Sequence, residues 1–112
     1  MNDRPMDGNN MPAEIDFGNA RAFAYGNLAE IAIERERWVE ARTLLEQKLR
    51  LSSQLGFGIL IADGQYRLAE VLKRMGQAEL ALPPAREAYA AYQQLKPGSA
   101  PAAKRLLDSL QS

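Results

Sequence analysis

Cysteine and histidine are both absent from the 112 residues. Disulfide scaffolds, zinc fingers, thiol nucleophiles and histidine-based triads are excluded with them. Neither charge is in excess, because 14 basic residues balance 14 acidic ones. No whole-chain attraction therefore draws the protein to nucleic acid or to a membrane surface. Long apolar runs are missing too: stretches such as Ile59–Ala62 fall far short of the ~20 residues that span a bilayer. The opening MNDRPMDGNNMPAEIDFGN has no apolar stretch of the kind a secretory signal needs. No alternating β-branched run argues for a strand. Gly56-x-Gly58 has neither the spacing nor the following lysine of a phosphate loop. The expectation is a soluble, cytoplasmic, all-α protein with no metal or other cofactor and no catalytic role.

What is present is helical periodicity. Residues 1–15 are rich in Pro, Asn, Asp and Gly and are expected to form a flexible tail, with 16–112 as the folded domain. Asp16 is placed to cap the first helix, accepting free N–H groups of its opening turn. Phe23, Leu28, Ile31 and Ala32 begin an apolar stripe. Trp38, Ala41, Leu44, Leu45, Lys48 and Leu49 continue it after the charged stretch Glu34–Arg37. Gly56 and Gly58 mark a break, and a third helix is read at about Ile59–Met75 before Gly76. A fourth spans about Ala78–Leu95, stopped by Pro97-Gly98, and a short last helix covers about Ala100–Leu110.

Laid on itself at an offset of 40 residues, the chain matches at Phe17/Phe57, Gly18/Gly58, Ala22/Ala62, Leu28/Leu68, Ala29/Ala69, Glu30/Glu70, Ala41/Ala81 and Leu55/Leu95. Helices cross closely only where a side chain is small. Ala29 is therefore expected to meet Ala41 across one hairpin, and Ala69 to meet Ala81 across the next. Leu28, Trp38, Leu45, Leu68 and Leu72 are expected to fill the space around them.

The order Tyr25-x-x-Leu28-Ala29-x-x-Ala32, then Trp38-x-x-Ala41-x-x-x-Leu45-x-x-Lys48, resembles the tetratricopeptide repeat. A second copy reads Leu68-Ala69-x-x-Leu72-x-x-x-Gly76, then Ala81-x-x-x-Ala85-x-x-Ala88. The likeness covers residues 17–96, and its 40-residue period is that of a longer-repeat branch of the family. It implies two antiparallel helical hairpins with a C-terminal capping helix, a fragment of an α-α superhelix. Three departures stand out: Glu36 replaces a turn glycine, Lys48 takes a normally small position, and Pro84 doubles a helix-interior proline.

The resemblance also implies a protein-interaction module whose first helices line a concave groove. By register, Phe23, Gly26, Asn27, Glu30, Ile33 and Glu34 face it from the first copy. Asp63, Tyr66, Arg67, Glu70, Lys73 and Arg74 face it from the second. A peptide of mixed charge with one or two apolar anchors would suit such a groove. The bland alternative is that these Glu and Arg residues only solvate a helix face, although Tyr and Arg are enriched where binding energy concentrates. Glu30 and Glu34, one turn apart, have no histidine to make them a metal or acid–base pair. Trp38 reads as a packing residue rather than a stacking platform for bases. A carboxylate clamp is not supported, since Gly26, Glu30 and Arg67 stand where the family's clamp uses Lys and Asn. A second possibility is a homodimer, with Phe17, Phe23 and Ile33 exposed on the first hairpin.

Overall fold

The computed structural model describes residues 13–112, with side chains from residue 17 onward. The flexible tail expected at the N-terminus falls almost wholly outside the described residues. Five α-helices follow one another: α1 (Ala13–Glu34), α2 (Trp38–Leu55), α3 (Gly58–Arg74), α4 (Ala78–Leu95) and α5 (Ala100–Gln111). A single 3-10 turn, Pro97–Ser99, leads into α5. Asp16 lies inside α1, which starts at Ala13, so it is not the capping residue.

Each helix packs on its neighbours in sequence, and α3 also touches α5. The result is a stack measuring 62 × 31 × 19 Å rather than a closed bundle. Gly56 ends α2 in the left-handed region at φ 74°, donating its N–H to the Ser52 carbonyl at 2.9 Å, and Phe57 reaches the same oxygen at 3.2 Å. α4 runs unbroken through Pro83 and Pro84. Proline lacks an N–H, so the carbonyls of Glu79 and Leu80 lose their helical donor; both residues are exposed, and solvent can replace it.

The seams are made of small side chains. Ala29 and Ala41 are fully buried in one cluster with Ala32, Leu45 and Val71, and Trp38 and Leu44 pack around it. Ala69 and Ala81 are fully buried in the next, with Leu72, Ala85, Leu107 and Leu110. Helix axes held this close leave room for little more than a methyl group between them.

The first helix departs from the sequence reading. Its core face is Ala22, Ala29 and Ala32, all buried, whereas Leu28 is 50% and Ile31 45% exposed. Leu28 therefore does not fill the first hairpin as expected. It points away from α2, about 100° round the helix from Ala29. Leu68, its match forty residues on, is partly buried between two clusters because α3 has a hairpin before it.

Candidate protein-binding face

The face common to α1 and α3 is built around Arg67. Its Nε donates to Glu30 of α1 at 2.7 Å, and a second guanidinium nitrogen reaches the other oxygen of the same carboxylate. Nη1 donates to Glu70, one turn further along α3, at 2.6 Å. Planar guanidinium matches carboxylate geometry, so this fork bridges α1 and α3 across the face. Burial alone would weaken the guanidinium's hold on its proton; Glu30 and Glu70 more than offset this, and its pKa lies above the ordinary arginine value.

Beside this fork is an open pocket of about 280 Å³ lined by Glu30, Lys48, Asp63, Tyr66, Arg67 and Tyr92. Lys48 comes from α2, behind the face, and reaches forward between two glycines. A Cβ on Gly26 would stand 3.3 Å from its Nζ, and one on Gly64 3.9 Å from its Cδ. Burial pushes the Lys48 ammonium below the ordinary lysine range, opposed by the nearby charges of Asp63 and Glu30. The buried Tyr92 donates its hydroxyl to Asp63. Burial and that bond raise its pKa well above the ordinary tyrosine value. Tyr66 stands edge-on to Tyr92, ring centroids 6.3 Å apart, and burial with Glu70 alongside raises its pKa too.

A second, larger and mostly apolar cleft of about 630 Å³ lies nearer the start of α1, lined by Asn19, Phe23, the turn Gly56–Leu60 and Leu95. Phe23 and Leu95 are 53% and 51% exposed there. Phe23 lies seven residues before Glu30, two helical turns along one face of α1.

The tetratricopeptide-repeat family model matches residues 20–94. The chain belongs to the tetratricopeptide-repeat family. Repeats of this family mediate protein–protein interaction and are typically not catalytic. No curated protein and no solved structure matches the chain.

On this repeat protein the residues singled out from sequence do not all meet at one point. Glu30, Tyr66, Arg67 and Glu70 are brought together, Phe23 lines the apolar cleft, and Asn27 is exposed on α1 between them. Ile33 is half-buried rather than exposed: it packs against the first core cluster and, with Trp38, Arg67, Glu70, Val71 and Arg74, lines a small pocket of about 100 Å³. Lys73 is drawn aside, donating to Ser109 of α5 at 2.9 Å. Arg74 turns back over the Trp38 ring, 4.9 Å from its centroid, as a cation–π contact. Trp38 itself is a packing residue, as read from sequence.

Sequence reasoning missed Lys48 and Tyr92 as lining residues, and Ile59, Leu60 and Leu95 as cleft walls. One signal was present for Lys48: a long cation at a repeat position that is normally small, with Gly26 and Gly64 on the facing helices. Among the described residues no helix is long and apolar enough to cross a membrane, and no cluster of three or more acidic residues is arranged for a metal ion.

Proposed function

We propose that this tetratricopeptide-repeat protein binds a peptide or protein segment along the α1–α3 face, without catalysis. The observation that carries the reading is the placing of an apolar cleft at Phe23 and a polar pocket at Glu30, Lys48, Tyr66 and Arg67 about 10 Å apart, two turns along one helix. A segment with one large apolar side chain seated against Phe23, Ile59 and Leu95 fits this pair of sites. It would present a polar or charged group to the pocket about three residues on if extended, or about seven on if helical. The pocket's cations Lys48 and Arg67 are balanced by Glu30 and Asp63, so it favours mixed charge over an acidic ligand. Arg67 is already held by two carboxylates, which argues against capture of a terminal carboxylate. The lack of cysteine fits a reducing compartment such as the cytoplasm.

Selection of peptides from a display library on the immobilised protein tests the reading. Peptides recovered on the wild type should lose roughly tenfold or more in affinity for Phe23→Ala and Tyr66→Ala, the size of loss expected at anchoring aromatics. They should bind Glu79→Ala, on the exposed part of α4, as well as the wild type. Equal loss in all three, or in none, would move the binding site elsewhere. Self-association is a second reading, favoured by the apolar Phe17, Leu28 and Ile31 that α1 exposes away from this face.

A further inference from the structure

Three helices carry one motif, a small residue followed four and seven positions later by large apolar ones. It reads Ala24, Leu28, Ile31 on α1; Gly64, Leu68, Val71 on α3; and Ala103, Leu107, Leu110 on α5. On α3 this face is a seat against the first hairpin. Gly64 lies close against Leu49 of α2, and Val71 is buried with Ala29, Ala32, Ala41 and Leu45. On α5 it is a seat against the second hairpin, with all three residues buried. On α1 the same face is open: Ala24 is exposed, and Leu28 and Ile31 are half-exposed. Phe17, 66% exposed, and Ala20, also exposed, extend it toward the N-terminus. At 100° per residue these five positions fall within an arc of about 80°, a narrow seam of the kind that pairs helices. The seam lies roughly a quarter turn from the face that carries Phe23, Asn27 and Glu30.

We infer that this seam is the contact between two copies of the chain, crossing antiparallel about a two-fold axis at Ala24. The hairpin surfaces that cover the motif within the chain are both taken, the first by α3 and the second by α5. Head-to-tail stacking finds no match, because the outward side of α5 carries exposed Lys104, Arg105 and Asp108. A second copy of the seam does match. Antiparallel pairing centred on Ala24 sets Phe17 against the partner subunit's Ile31 and Ala20 against the partner subunit's Leu28, while Ala24 meets its own equivalent. The centre of the crossing is small, Ala24 on its equivalent flanked by Ala20 against Leu28, which allows close approach there, while Phe17 and Ile31 meet as large apolar pairs at its ends. Arg21 falls opposite Asn27 rather than another cation, and its guanidinium already leans over the Phe17 ring at 5.8 Å. A seam of five residues on each chain is small beside the roughly 1,200–2,000 Å² of standard specific interfaces, so the dimer is expected only at micromolar concentrations and above.

This inference rests on the self-association reading and is independent of peptide binding at the α1–α3 face. Size exclusion with light scattering should give twice the 12.4 kDa chain mass for the wild type. Leu28→Glu should return a monomer with an unchanged helical circular-dichroism spectrum, since Leu28 is half-exposed and outside the core. In a chain with no cysteine, Ala24→Cys should form a disulfide-linked dimer on mild oxidation, while Ala90→Cys on exposed α4 should not. A wild-type monomer at the highest concentration reached would overturn self-association altogether. A dimer that survives Leu28→Glu, or one in which Ala24→Cys links no better than Ala90→Cys, would keep self-association and overturn this seam.

Discussion

Glu36 carries a backbone φ of 57°, the left-handed region that Gly76 occupies at 77° forty residues later. The two residues end equivalent helices, and the Glu36 N–H donates to the Ile33 carbonyl at 2.9 Å as the Gly76 N–H donates to Lys73 at 3.0 Å. The turn geometry of the repeat is kept even where its glycine is lost. A side chain with a Cβ held in that region costs about 1 kcal/mol. Glu36→Gly is therefore expected to raise the urea midpoint by the equivalent of about 1 kcal/mol, and Gly76→Ala to lower it by as much or more. No change in either would mean that the two turns are not constrained as described.

Ala41 and Ala81 are fully buried at the crossing points of their hairpins. A leucine at either position has no space to enter without spreading the helices. Ala41→Leu and Ala81→Leu are each expected to lose about 1–3 kcal/mol on urea unfolding. Unchanged midpoints would contradict close crossing at these residues.

Much of this was legible in the sequence because the seam residues are small and recur at one spacing. Ala29/Ala41 and Ala69/Ala81 could be paired before any coordinates were known, and the bounds of α4 and α5 follow from glycine and proline punctuation. The outer face of α1 was not legible. Leu28 and Leu68 are the same residue at the same repeat position, yet Leu68 is packed and Leu28 open, since α3 lies against the first hairpin whereas the outer face of α1 meets no other helix among the described residues. Lys48 was visible only as a departure from a small residue. That it reaches the groove follows from Gly26 and Gly64 leaving it a passage, a three-helix relationship that no local pattern encodes.

The fork between Glu30 and Arg67 joins helices that share few other contacts. Both side chains are about a third or more exposed, so a double-mutant cycle with Glu30→Gln and Arg67→Gln should give a coupling of about 0.5–1 kcal/mol. The coupling should shrink as ionic strength rises, because exposed charges are screened. A coupling near zero at low salt would mean that the fork contributes nothing to joining α1 and α3.

The buried Tyr92 predicts a dependence on alkaline pH. Its pKa is raised in the folded state, by burial first and then by donation to Asp63. Below the ordinary tyrosine value of about 10 the stabilisation is fully present. Above it the unfolded chain ionises first, and stability is lost as pH rises toward the folded value. Lys48 has the opposite sign: its lowered pKa means that its burial cost is relieved as pH rises toward the ordinary lysine value. Above about pH 10.5 the raised pKa values of Tyr92 and Tyr66 act with the same sign, and because Tyr66 is kept in Tyr92→Phe, the urea midpoint of the wild type should still fall more steeply there than that of the variant. Equal slopes would contradict the buried, hydrogen-bonded phenol.

Amide chemical-shift mapping with a peptide selected on the wild-type protein tests recognition by the α1–α3 face most directly. The largest shifts are expected at Phe23, Asn27 and Glu30 on α1 and at Tyr66, Arg67 and Glu70 on α3. The exposed Val39 of α2 and Leu80 of α4 should scarcely move. Largest shifts at Val39 and Leu80, with the α1–α3 face unchanged, would contradict the account.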